Sequence, residues 1–185
     1  MEKPNGDKFF APVMLTEFVG SMLLMLAVNL QGEETTTVPL VFFALIVCTY
    51  ELSGGHLNPS ISLGVYISTK RYVSNLLFMV FLIGAQTVGC LLALALGYMV
   101  RVTVTDSATG SEYLEPNVYS SPPPILIATD GIPSYGQIML SETIAAFILV
   151  LTSVQARAFI TRSNNPEGAV IQAAFAMAVA LAAIQ

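Results

Sequence analysis

Residues 53–60 read SGGHLNPS and interrupt an apolar run that begins at Val38 and resumes at Ile61. Gly-Gly and Asn-Pro are dipeptides that break helices and form turns. The flanking segments are apolar enough to lie in a bilayer. At membrane depth a break in the helix is tolerated only where the backbone faces protein or a water-filled cavity. The stretch therefore predicts a loop within a membrane domain.

The composition of the whole chain also places it in a bilayer. Of its 185 residues 55% are apolar and 10% are charged, and the mean hydropathy is +0.72. Soluble domains contain about 25% charged residues, so a soluble fold of this length would lack polar surface. The net charge of −5 argues against nucleic-acid binding, which needs a basic patch. We find no nucleophile–base pair, phosphate loop or metal cluster, so we expect no enzyme and no cofactor.

Five segments are long and apolar enough, or nearly so, to cross a membrane: about 10–30, 38–52, 76–100, 137–158 and 168–185. The basic residues orient them. With a cytoplasmic N-terminus, six of the seven lie inside and only Arg101 lies outside, as the positive-inside bias requires. Arg157 and Arg162 are among the six inside residues, and we place them in the connection between the fourth and fifth spans. Lys70 and Arg71 lie inside only if the segment around Asn58 enters and leaves the membrane on the cytoplasmic side.

The sequence contains an internal repeat. Residues 14–17 read MLTE and residues 139–142 read MLSE, which places Glu17 and Glu142 at the same point of two apolar segments. A carboxylate in the bilayer is costly and marks a site or a paired structural role. The copies lie in the first and fourth spans, which cross the membrane in opposite directions. This pattern is typical of inverted repeats with a permeation path near the midplane.

These residues resemble the aquaporin, or major intrinsic protein, family. The resemblance lies in residues 16–18 (TEF), 53–60 (SGGHLNPS) and 84–89 (GAQTVG), and in Glu142. It implies an all-α membrane protein with an aquaporin-like inverted repeat, a right-handed bundle of six spans with re-entrant half-helices. Five spans and one half-helix are present here, in one domain over 1–185.

Within that domain we expect the first repeat at about 9–100, the outer loop at about 101–136 and the start of the second repeat at about 137–185. The second Asn-Pro-Ala half-helix, the filter arginine and the sixth span are not in these residues. We expect the native chain to continue past Gln185 and to contain them.

The resemblance assigns the pore to the octapeptide: Gly55, His56, Leu57, Asn58, Pro59 and Ser60. In the family the Asn58 amide donates to the permeating oxygen at the positive end of a helix dipole. Pro59 suits the first turn of a helix, and Ser60 replaces the usual alanine. Asn58 as a mere helix cap is the alternative. His56 either lines the vestibule or bonds to the loop.

Three further residues are expected to support the re-entrant loops. The resemblance implies that Glu17 and Glu142 each accept backbone N–H groups of their own loop, the loop of Glu142 being absent from these residues. Gln86 is expected to pack helices rather than line the pore. Glu51 is either solvated at the mouth of the pore or senses pH or a cation.

The outer constriction is expected to be wide. By the family's spacing, two filter positions fall on Val38 and near Ala180, both small and apolar. The resemblance therefore implies a passive channel for water and small neutral solutes such as glycerol or urea, excluding ions and protons. The expected surroundings are the lipid bilayer and a homotetramer. The alternative is a non-conducting scaffold of the same fold, or a subunit of a larger assembly.

Overall fold

The computed structural model describes residues 10–30, 36–70, 72–100, 103–105, 112–114 and 135–184. These residues form six helices and one two-stranded antiparallel sheet. The helices are α1 (Phe10–Leu30), α2 (Thr37–Ser53), α3 (Pro59–Ser68), α4 (Tyr72–Val100), α5 (Tyr135–Arg162) and α6 (Pro166–Ala182). Strands β1 (Thr103–Thr105) and β2 (Glu112–Leu114) pair within the connection between α4 and α5.

Three of these helices are long and apolar enough to cross a membrane, namely α1, α5 and the Asn75–Val100 part of α4. The other two predicted spans, α2 and α6, are apolar helices of 17 residues each. That length lies at the lower end of the range of about 17–25 residues for a transmembrane helix. The chain is therefore a predominantly helical integral membrane protein.

The helix bounds differ from the predicted spans mainly at polar ends. Helix α4 begins at Tyr72, four residues before the predicted start, and α5 continues to Arg162, four residues past the predicted end. An apolar stretch marks the part of a helix that lies in lipid. The helical backbone hydrogen bonds continue into the polar residues beyond it, so the helix is longer than the apolar stretch. One correction follows: Arg157 and Arg162, both counted as cations of the fourth-to-fifth connection, lie within α5, with Arg162 as its last residue. The predicted outer loop otherwise lies largely outside the described residues.

The helices pack in a connected bundle. Helix α1 contacts α4 and α2, α2 contacts α6, α3 lies against α4 and α5, and α5 packs on α6. Glycine allows one of these close approaches: a methyl group on Gly89 of α4 would collide with the backbone carbonyl of Phe18 on α1. Small residues at such crossings are typical of membrane helices, which gain stability mainly from close packing.

The octapeptide forms the turn between α2 and α3. Helix α2 ends because Gly54 adopts a left-handed conformation (φ 87°) and its N–H donates to the carbonyl of Tyr50 at 2.8 Å. Leu57, which is not a glycine, also has a positive φ of 53°. Asn58 then caps α3, and Pro59 occupies its first turn, where no N–H is needed.

Candidate functional site

Glu17 of α1 is the centre of the site. Its side chain is 0% exposed, and its two carboxylate oxygens accept four hydrogen bonds. Oε1 accepts from Ser53 Oγ (2.6 Å) and the His56 N–H (2.9 Å), and Oε2 accepts from the Leu57 N–H (2.7 Å) and Gln86 Nε2 (2.7 Å). A carboxylate has about four acceptor positions, so all are used. This saturation is what makes a buried carboxylate tolerable.

A second layer of hydrogen bonds ties the loop to α3 and α4. Gln86 Nε2 lies 2.8 Å from Ser62 Oγ, and Ser62 Oγ lies 3.1 Å from His56 Nδ1. All three side chains are buried. The network therefore fixes both the backbone and the imidazole of His56. Ser62 was not among the expected site residues, although it stands four residues after Asn58, one helical turn along α3.

At the start of α3 the Asn58 side-chain amide is hydrogen-bonded through its oxygen. Its Oδ1 accepts the N–H of Ser60 at 2.7 Å, while its Nδ2 donates to no residue in the described part of the chain. Asn58 and Pro59 are half-buried, and Ser60 is exposed. The side chain is thus anchored through its oxygen, with two amide hydrogens available to another acceptor.

A cavity of about 570 Å³, which we call the vestibule, lies where α2 and α3 end beside α5. Tyr50, Glu51, Ser53, His56 and Arg157 are among the residues that line it. His56 borders the vestibule, and its Nδ1 is hydrogen-bonded to Ser62 of α3. Glu51 is exposed at the vestibule.

Arg157 is the residue that the sequence reasoning missed. Its Nη2 donates to the carbonyl of Gly55 at 3.2 Å, and its guanidinium carbon lies 5.8 Å from the centre of the Tyr50 ring. Its Nε is buried without a hydrogen-bond partner, and the arginine forms no ion pair with any described residue. The available signal was its position between Ala156 and Ala158, within an apolar stretch of helix.

The other expected site residues are not gathered here. Val38, 2% exposed, lies near the start of α2, and Ala180, half-buried, lies near the end of α6; neither lines the vestibule. Glu142 on α5 is exposed and hydrogen-bonds to no residue that the structure describes. The structure thus brings together Glu17, Gln86 and the octapeptide. Outside this group lie Val38, Ala180 and Glu142.

Two kinds of comparison with known proteins give matches. The profile of the major intrinsic protein family matches residues 8–123, more than half of the chain. The chain is also 30% identical over 67 residues to Aquaporin PIP 1-3 of Oryza sativa subsp. japonica and to Aquaporin PIP1-5 of Zea mays. Each match covers 31% of this chain and 23% of the relative, so the matched part spans about a quarter of those proteins. The chain belongs to the major intrinsic protein family.

Proposed function

We propose that the protein is a passive transmembrane channel for water and small neutral solutes. The observation that carries the proposal is the Asn58 amide, which is held through its oxygen and leaves its nitrogen without a partner among the described residues. A fixed donor of this kind orients a passing molecule by its oxygen. The N-terminus of α3 adds the positive end of a helix dipole, about half an elementary charge.

The same geometry supports exclusion of protons and cations. Water that accepts a hydrogen bond from Asn58 is oriented and cannot relay a proton at that point. The positive end of the α3 dipole opposes cations. On the other side of Asn58 the loop turns the N–H groups of His56 and Leu57 toward Glu17, while the Gly55 carbonyl faces Arg157 at the vestibule. Backbone N–H and carbonyl groups thereby point in different directions along the loop.

In this proposal α3 is a re-entrant half-helix of an aquaporin-like inverted repeat. Its ten residues span about 15 Å, half of a hydrocarbon core of about 30 Å. A half-helix returns the chain to the side that it entered, which keeps Lys70 on the side of the N-terminus. We assign that side to the cytoplasm from the positive-inside bias, so the vestibule opens to the cytoplasm. The single domain and its repeat boundaries are part of the same proposal.

The solute range is inferred from Val38 and Ala180. Both side chains are small and apolar, and they stand on α2 and α6, two helices that pack on each other. An outer constriction edged by such residues favours solutes larger and less polar than water, such as glycerol or urea. We further propose that the channel is a homotetramer, in which exposed apolar faces contact lipid or neighbouring subunits.

Stopped-flow light scattering tests the channel. The full-length protein in proteoliposomes is exposed to an osmotic gradient of sucrose and then of glycerol, with protein-free vesicles as the control. We expect fast shrinkage in both gradients and rapid reswelling only in glycerol. Shrinkage no faster than in protein-free vesicles overturns the channel and favours a non-conducting scaffold. Fast shrinkage without reswelling keeps the water channel and overturns the wider solute range.

A further inference from the structure

Arg157 brings a positive charge to the vestibule, and we propose that it is a specificity-determining residue that keeps cations out of the path at this end. The inference rests on the proposed channel function, because the vestibule must be part of a permeation path for its charge to select solutes. It adds a charge barrier that is separate from Asn58 and from the start of α3.

The contacts of Arg157 hold it in place without using up its donors. A guanidinium carries five N–H donors, and the described residues accept from only one nitrogen, through the Gly55 carbonyl. The Tyr50 ring stabilises the cation from one side. The Nε–H is buried, but the remaining N–H groups on the two Nη nitrogens are available to water or to a solute oxygen in the vestibule. The arrangement is therefore a fixed cation in contact with the cavity.

The charges around Arg157 do not form an ion pair with it. Glu17 lies behind the loop, and its four acceptor positions are taken by other donors. Glu51 is exposed at the vestibule and is screened by solvent. Tyr50 and His56 are the other titratable groups of the lining. A cation that enters the vestibule therefore meets a positive charge that no described carboxylate pairs with directly, in a partly desolvated space where repulsion is stronger than in bulk water.

A second explanation is purely structural. Helix α2 ends at Ser53, and a basic residue near a helix C-terminus stabilises its free carbonyl groups. A lysine or glutamine at position 157 could still donate to the Gly55 carbonyl. Only the lysine would keep the charge in the vestibule. Substitution to each of these residues therefore separates the two explanations.

The first experiment measures the electrostatic potential of the vestibule. In a chain whose native cysteines are replaced by alanine, Ser68→Cys places a thiol on the vestibule lining opposite α5. We measure the ratio of its modification rates by an anionic and by a cationic methanethiosulfonate reagent. R157Q is expected to lower this ratio about tenfold, and R157K is expected to keep it within about twofold. The control R162Q removes an exposed cation from the end of the same helix and is expected to change the ratio by less than about twofold.

The second experiment measures the selectivity of the channel for water over a cation. Influx of the guanidinium ion into proteoliposomes is divided by the osmotic water permeability of the same preparation. R157Q is expected to raise this quotient about tenfold, whereas R157K and R162Q leave it unchanged. Thr161→Glu, which adds a carboxylate to the vestibule and leaves Arg157 in place, is expected to raise it as well, with T161Q as its neutral control. This variant decides the question if R157Q does not fold.

The outcomes separate the two proposals. If the unaltered protein does not conduct water, the channel function and this inference fall together. If water permeability is intact and neither R157Q nor T161E raises guanidinium influx, the inference alone is overturned and Arg157 only stabilises the loop. A shift of the thiol-modification ratio without any rise in guanidinium influx overturns it too, because the charge then exists but does not select.

Discussion

Two carboxylates in nearly identical local sequences have opposite environments in this molecule. Glu17 follows MLT and is completely buried with four hydrogen-bond donors, whereas Glu142 follows MLS and is exposed with none in the described part of the chain. The donors of Glu17 come from three other places: the end of α2, the loop that follows it, and α4. The local sequence supplies the acid, but distant segments decide whether it is buried.

The first and largest prediction contrasts E17Q with E142Q. Glutamine at position 17 turns an NH₂ group toward N–H donors and leaves buried polar groups unsatisfied, at about 1–3 kcal/mol each. We expect E17Q to lower the free energy of unfolding by about 3 kcal/mol or more, and E142Q to change it by about 0.5 kcal/mol or less. Reversible unfolding in mixed detergent micelles, followed by circular dichroism, measures both. Equal losses would show that the two acids have equivalent roles.

The second prediction isolates the donor from α4. Q86L removes the hydrogen bonds to Glu17 and Ser62 at similar volume, and we expect a loss of about 2 kcal/mol. T87V is the control, because Thr87 is exposed and bonds only to a carbonyl of its own helix. The double variant E17Q/Q86L is expected to lose less than the sum of the single changes, since the residues share one network. Simple additivity would place Gln86 outside the network.

The smallest predicted effect compares the two Asn-Pro helix starts. Asn58 caps α3 and Asn165 caps α6, each accepting a backbone N–H, and each is followed by proline. Alanine at either position is expected to reduce stability by about 1 kcal/mol. Only N58A is expected to reduce the water permeability of proteoliposomes, because only this amide has the proposed role in the pore. A similar reduction in N165A would trace the effect to capping alone.

The sequence contains enough to predict the helices and the family, and the family membership expected from SGGHLNPS is confirmed. Apolar length identified α1 to the residue and the other four spans to within about four residues at every end. Helical hydrophobicity is a local property, which is why it can be read from one segment. The resemblance, rather than the spacing of residues, suggested that Glu17 accepts N–H groups of the loop.

Two features of the site could not be predicted because distant contacts create them. One is the positive φ of Leu57, which costs about 1–3 kcal/mol for such a residue and accompanies the hydrogen bond to Glu17 that the resemblance implied. The other is Arg157, which reaches the Gly55 carbonyl over 102 positions. No pattern within either segment encodes the backbone conformation of Leu57 or the contact of Arg157. They follow only from the way α1, α2 and α5 pack around the loop.

The distance along the chain between Glu17 and its donors has a consequence for biosynthesis. The donors follow Glu17 by 36 to 69 residues, and Gln86 is the last to be made. At about 5–20 residues per second, α1 exists for several seconds before its carboxylate can be saturated. An unpaired carboxylate cannot be released into hydrocarbon in its charged form. We therefore expect α1 to stay near water until α4 emerges from the ribosome and the two helices enter the lipid together.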